Sequence, residues 1–158
     1  MNKNINKLDE VFDKCRIFIT VGICGAGKTY YSKIIMNENP NLNIQIIYLD
    51  DIIALKMDNH VIEKYVEILL NNNHNVIIDS VVSLEDRKKW VNISKSFGVD
   101  IGCLYFDTSI DICFKRNYKR YPRIEKDAIR VMKKEFIIPT IEEGFNVIYD
   151  VNNNVIID

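Results

Sequence analysis

Apolar residues along this chain follow two alternating periods. Short runs rich in β-branched and aromatic residues recur: "RIFITV" at 16–21, "NIQIIYL" at 43–49, "NVIID" at 75–79, "VDIGCLYF" at 99–106 and "FNVIYDV" at 145–151. They are nearly all apolar, so each reads as a strand buried on both faces. Longer segments with helical spacing lie between them. They are "KTYYSKIIMNEN" at 28–39, closed by Asn39-Pro40, "DIIALK" at 51–56, and "HVIEKYVEILLNNN" at 60–73 with Ile62, Val66, Leu69 and Leu70 on one face. "SLEDRKKWVNISKSFG" at 83–98, "SIDICFKRN" at 109–117 and "EKDAIRVMKKEF" at 125–136 complete the helical set. Ser83 and Asp86 stand at capping-box spacing, with Asp in place of Glu or Gln. Doubly buried strands separated by helices predict a parallel sheet covered on both faces. Right-handed crossovers then give a doubly wound α/β sandwich of about five strands.

No internal repeat and no Pro/Ser/Gly linker divides the sequence, so residues 1–158 read as a single domain, with 1–14 as an N-terminal extension. The longest apolar runs are far shorter than the roughly 20 residues of a membrane span. The opening "MNKNINKLDEVFDKC" has neither an apolar core nor a small-residue cleavage site, which argues against a signal peptide and for a cytoplasmic protein without a membrane partner. Cys15, Cys24, Cys103 and Cys113 show no CxxC spacing, so they read as buried thiols, not as zinc ligands or a disulfide frame.

In open α/β sheets ligands sit beyond the carboxyl ends of the strands. Those positions hold Gly22–Thr29, Asp50 with Asp51, Asp79 and Asp107. The first, Gly22-Ile23-Cys24-Gly25-Ala26-Gly27-Lys28-Thr29, satisfies GxxxxGK[ST] in full, directly after a strand and before a helix. Glycines allow a tight turn whose N–H groups point at phosphate oxygens, and the helix start adds positive potential. Lys28 would reach the β- and γ-phosphates, and the Thr29 hydroxyl would ligate Mg²⁺. The motif therefore implies a bound nucleoside triphosphate, ATP or GTP. It is silent on what receives the phosphate.

Asp50 and Asp51 follow the second strand, where a carboxylate would face the γ-phosphate and could take the proton of an acceptor hydroxyl. One of the pair is equally suited to cap the helix that follows. Asp79 ends an apolar strand, where it could hold Mg²⁺ through water, orient an arginine, or simply serve a turn.

The net charge of −1 hides an uneven distribution. Residues 115–134 hold nine Lys or Arg against Glu125 and Asp127, a balance of +7 that leaves −8 for the rest. Such a concentration is either a solvated helix face or part of a phosphate site. Lys115, Arg116, Lys119 and Arg120 recur at spacings of three and four before Tyr121-Pro122 interrupts the helix. Arginine suits phosphate because its planar fork binds two oxygens and stays charged.

Four blocks in order, "ITVGICGAGKTYYSKII", "YLDD", "VIIDSVVSLEDRKKW" and "FDTSIDICFKRNYKR", resemble the P-loop kinases of the 5′-polynucleotide kinase type over about residues 16–150. The resemblance implies a nucleotide-kinase-like P-loop fold with an Arg-rich lid at about 115–134, whose closure excludes water from the triphosphate. It implies Asp50 as general base and Asp79 as second active-site carboxylate, with Arg120 at the transferring phosphoryl group and Arg116 assisting. Lys28 and Thr29 handle phosphates and Mg²⁺. The implied acceptor is a nucleic-acid 5′-OH, with a nucleoside or small-molecule hydroxyl as the alternative and a non-catalytic nucleotide switch as a third. The chain departs from the pattern at Ile53, where the family has an arginine for the acceptor's phosphate; Arg87 and Lys56 are the candidate replacements.

Overall fold

The computed structural model describes residues 3–157, with side chains from residue 8 onward. Five strands run parallel: β1 (Ile17–Val21), β2 (Ile44–Tyr48), β3 (Asn75–Asp79), β4 (Ile101–Tyr105) and β5 (Val147–Asp150). A sixth, β6 (Val155–Ile157), pairs antiparallel with β5, and the sheet order is β2-β3-β1-β4-β5-β6. The five parallel strands are those expected, and the sixth adds an antiparallel edge that the sequence pattern does not show. Its three residues are too short to carry a period, and they pair because a turn folds them back. Asp150 Oδ1 accepts from the backbone N–H of Asn152 and of Asn153, and Asn154 takes the left-handed φ of 55°.

Among the described residues seven α-helices pack around the sheet: α1 (Lys3–Lys14), α2 (Lys28–Glu38), α3 (Leu49–Ala54), α4 (Asn59–Asn71), α5 (Leu84–Ser96), α6 (Ile110–Tyr118) and α7 (Lys126–Glu135). The apolar side chains form two clusters, one on each face. Strand alternation divides β1 between them: Ile17, Ile19 and Val21 join Ile62, Val66 and Trp90 of α4 and α5, whereas Phe18 joins Ile35 of α2 and Cys113 of α6. All four cysteines are buried and free. Among the described residues no helix is long and apolar enough to cross a membrane.

The segment read as an N-terminal extension is helical from Lys3, and its first two residues lie outside the described ones. Val11, Phe12 and Cys15 enter the second core, with the Phe12 ring centroid 4.2 Å from that of Phe18. The expected capping box on α5 takes another form. Ser83 Oγ accepts from the Asp86 N–H at 3.0 Å, but Asp86 is one methylene shorter than Glu, and its carboxylate accepts from Ser83 Oγ (2.6 Å).

Phe12 is 4% exposed, so α1 belongs to the folding unit. Phe12→Ala is expected to lower unfolding free energy by about 3–5 kcal/mol in urea titration. A change below about 0.5 kcal/mol, the size seen at exposed sites, would mean that the helix only decorates the sheet.

Candidate active site

β1 and β4 pair with each other, and β1 also pairs with β3, so the sheet's strand order reverses at β1 and its carboxyl end opens a crevice there. The chain leaves β1 at Val21, turns through Gly22–Gly27, and enters α2 at Lys28. Gly25 and Gly27 hold the left-handed φ that favours glycine. Gly25 sits at φ +80°, and a Cβ there would lie 2.7 Å from the carbonyl oxygen of Cys113. Gly27 sits at φ +103°, where a Cβ would lie 2.9 Å from Arg116 Nη1. At these two positions the loop is pressed against α6.

Lys28 is buried, and its Nζ donates to the carbonyls of Gly22 (2.8 Å) and Ile23 (3.1 Å). Burial pulls its pKa below the ordinary lysine value, and the nearby Asp79, Cys24 and Asp50 partly oppose that. Thr29 Oγ1 donates to Asp79 Oδ2, and Thr20 Oγ1 donates to Asp79 Oδ1 at 2.8 Å. The loop hydroxyl and the strand carboxylate expected to share a metal therefore meet directly. They offer the hard oxygen donors that suit Mg²⁺, which usually takes one or two protein groups and completes its shell with water and phosphate. The residues present fit the ion.

α6, which carries Arg116, and the bend after it, which carries Arg120, lie against the other side of the loop. Arg116 Nη1 donates to the carbonyls of Ala26 (2.7 Å) and Gly25 (3.2 Å). Arg120 Nη1 donates to Cys24 Sγ at 3.4 Å. Buried Asn117 ties the connection between α6 and α7, donating to the Ile124 carbonyl (2.7 Å) and accepting from the Ile124 N–H (3.0 Å). Thr108 Oγ1 donates to the Ala26 carbonyl at 2.9 Å.

Lys28, Thr29, Arg116, Asn117 and Arg120 line one cavity of about 500 Å³, together with Asp50, whereas Asp79 lines a smaller one beside it. Asp51 does not line the larger cavity; Asp50 and Asp51 both line the smaller, with Lys33, Tyr48 and Arg120. The expectation that one of the pair caps α3 is corrected. The helix starts two residues earlier than expected, at Leu49, its N-cap is Tyr48 without a side-chain bond, and both aspartates fall in the first turn. Asp107 is also outside the cavity lining, 3.5 Å from Lys133. Ile53 is 71% exposed. Arg87 is 0% exposed, paired through Nε with Glu143 Oε2 at 2.9 Å and donating from Nη1 to the Ile137 carbonyl (2.8 Å). It is a core ion pair and cannot reach an acceptor; the sequence masked this because Glu143 lies 56 positions further on. Lys56 remains exposed, beyond the end of α3.

Thr20 and Ser80 went unread in the sequence. Thr20 was visible as the one hydroxyl inside an otherwise apolar strand. Ser80, at φ +75° and donating its N–H to Thr20 Oγ1 (2.9 Å), carried no sequence signal.

A parallel α/β sheet with this loop at its switch point defines the P-loop class in its nucleotide-kinase-like form. A family profile described as an AAA domain matches residues 17–139, and the chain belongs to that family. The bifunctional polynucleotide phosphatase/kinase of Schizosaccharomyces pombe is 27% identical over 142 residues, 85% of this chain and 33% of that protein. A chain in the structure of the Pnkp1/Rnl/Hen1 RNA repair complex matches with a TM-score of 0.61 at 26% identity, over 78% of this chain and 47% of that one. A chain of the PezAT chromosomal toxin–antitoxin system of Streptococcus pneumoniae shares the fold alone, with a TM-score of 0.53 at 21% identity over 94% and 76% of the two chains. This chain spans about a third of the curated relative and about half of the RNA-repair chain. The resemblance to P-loop kinases of the polynucleotide-kinase type holds in both sequence and fold.

Arg87→Ala leaves Glu143 buried without its partner, so it is expected to cost about 3–5 kcal/mol of stability. Denaturant unfolding reads this directly. A variant of wild-type stability with altered acceptor affinity would restore Arg87 to the acceptor side.

Proposed function

We propose that this chain is an Mg²⁺-dependent kinase that transfers the γ-phosphoryl group of ATP or GTP to a hydroxyl, the 5′-OH of a polynucleotide. One observation carries the reading: Asp50 lines the same cavity as Lys28, Thr29 and Arg120. A carboxylate there is unnecessary for nucleotide binding alone, which argues against a non-catalytic switch. It is what an acceptor hydroxyl requires.

The chain's own groups divide the work. The loop N–H groups and Lys28 bind the β- and γ-phosphates, with Lys28 exchanging its loop carbonyls for phosphate oxygens. Thr29 and Asp79 would hold Mg²⁺, which supplies positive charge between the phosphates when bound. Arg120, with Arg116 beside it, neutralises charge on the phosphoryl group in transit. Asp50 accepts the hydroxyl proton as the acceptor oxygen bonds to the γ-phosphorus and the bridging oxygen leaves with the nucleoside diphosphate. The likeness to a polynucleotide phosphatase/kinase and to a chain of an RNA repair complex supports a nucleic-acid acceptor. Exposed Ile53, in place of the arginine that the resemblance implies, favours a second reading in which the acceptor is a nucleoside or small molecule.

Lys28→Ala is expected to abolish transfer of label from γ-labelled ATP while leaving the thermal unfolding transition in place. Asp50→Asn is expected to keep nucleotide binding and lose about 10²–10⁴-fold in turnover. Asp51→Asn is expected to do little, and the reverse ranking would move the base to Asp51.

Salt separates the two acceptor classes. Neutralised phosphates release counterions, so affinity for a single-stranded acceptor should fall by about 0.7 log units per log unit of salt for each phosphate contacted. With Ile53 in place, a shallow slope of roughly one to three contacts is expected on that scale. A flat acceptor KM together with efficient use of a free nucleoside favours the small-molecule reading.

A further inference from the structure

A second cavity of about 390 Å³ lies between the turn after β3 and the C-terminal end of α7. Ser80, Val82 and Met132 line it and the phosphate-loop cavity alike, so the two adjoin. Its volume falls in the roughly 300–1,000 Å³ range of small-molecule sites. Ser80 also lines the small cavity that carries Asp50 and Asp51. One residue therefore stands where the phosphate loop, the proposed base and this hollow meet. It holds φ +75°, a costly conformation for a side-chain-bearing residue, fixed by its bond to Thr20.

The lining differs in character from that of the first cavity. Val82, Leu84, Met132 and Phe136 give apolar walls. Asp86 and Glu135 supply carboxylates, and no lysine or arginine lines the space, although α7 belongs to the +7 segment. A phosphate would be repelled there. A flat, uncharged ring bearing N–H donors would not. Asp86 already accepts from Ser83 Oγ through one oxygen at 2.6 Å, so Glu135 is the carboxylate with both oxygens open toward the hollow.

We propose that this cavity takes the nucleobase of the acceptor, its ring against the apolar walls and its Watson–Crick edge donating to Glu135. The proposal rests on the kinase reading for its orientation toward Asp50. Guanine presents N1–H and N2–H₂ side by side, the best match to a two-oxygen acceptor, so the acceptor class is a guanine-bearing nucleoside, free or at the end of a chain. Holding the base replaces the grip on phosphate that exposed Ile53 does not give.

Saturation-transfer NMR with guanosine and uridine tests the cavity apart from turnover, with the phosphate loop saturated by a non-hydrolysable ATP analogue. Guanosine is expected to bind at least roughly tenfold more tightly than uridine, the lower part of the range for a two-donor base contact. Glu135→Gln is expected to remove that preference. Leu84→Trp fills the hollow and is expected to remove guanosine binding with the Kd of the ATP analogue unchanged, since Leu84 does not line the first cavity. Equal binding of the two nucleosides, or guanosine binding untouched by both substitutions, overturns the proposal. Label transfer to guanosine, GpU and UpU then distinguishes the sources. Preference for GpU over guanosine places the base at a chain end, and the reverse makes it a free nucleoside. Base-selective binding with no transfer to any of them supports the cavity and sinks the kinase reading.

Discussion

The buried carboxylate of Asp79 is the joint on which the site depends. It is 2% exposed and accepts from two hydroxyls, Thr20 on β1 and Thr29 on α2. A carboxylate out of water is tolerated only when its oxygens are satisfied, so the three residues constrain one another. That constraint fixes β3 against β1 at their carboxyl ends and sets the first turn of α2 over both. The Ser80 N–H closes the same network through Thr20. The phosphate loop is thus anchored at its exit by a polar knot inside an apolar sheet.

At its other side the loop is held by its carbonyls. Lys28 occupies those of Gly22 and Ile23, Arg116 those of Gly25 and Ala26, and Thr108 shares Ala26. These donors satisfy carbonyl oxygens of the turn, of which Ile23's also accepts the Ala26 N–H. The N–H groups are the half of the loop's polarity that a nucleotide needs. Of the basic segment, Arg116 and Arg120 lean on the loop, while Arg130 and Lys133 pair with Asp127 and Asp107. Burial weakens the hold of Lys28 on its proton, and arriving phosphates would strengthen it. Nucleotide binding and the charge of the lysine are therefore coupled.

Much of this was legible along the chain. The five parallel strands, the helices between them and the loop before Lys28 follow from local period and from residue types whose conformational range is narrow. Asp50 and Asp79 were legible by position, because strands that end in polar residues mark the functional edge of such a sheet. Residues whose meaning depends on distant partners were not. Arg87 looked available until Glu143 and the Ile137 carbonyl closed around it. α1 looked like an appendage until Phe12 met Phe18. β6 is three residues long, and pairing with β5, not its own pattern, makes it a strand.

By itself, then, the sequence determined the class of fold and the chemistry of the phosphate loop, because periodicity and a contiguous turn motif act within a few residues of themselves. Only the tertiary structure decided which of two adjacent aspartates joins the main cavity, and that Thr20 and Thr29 share one carboxylate. It also decided that a hollow without cations adjoins a basic segment. Each is a relation between side chains from different strands and helices, and sheet order and register, not neighbourhood in the chain, bring those side chains within reach.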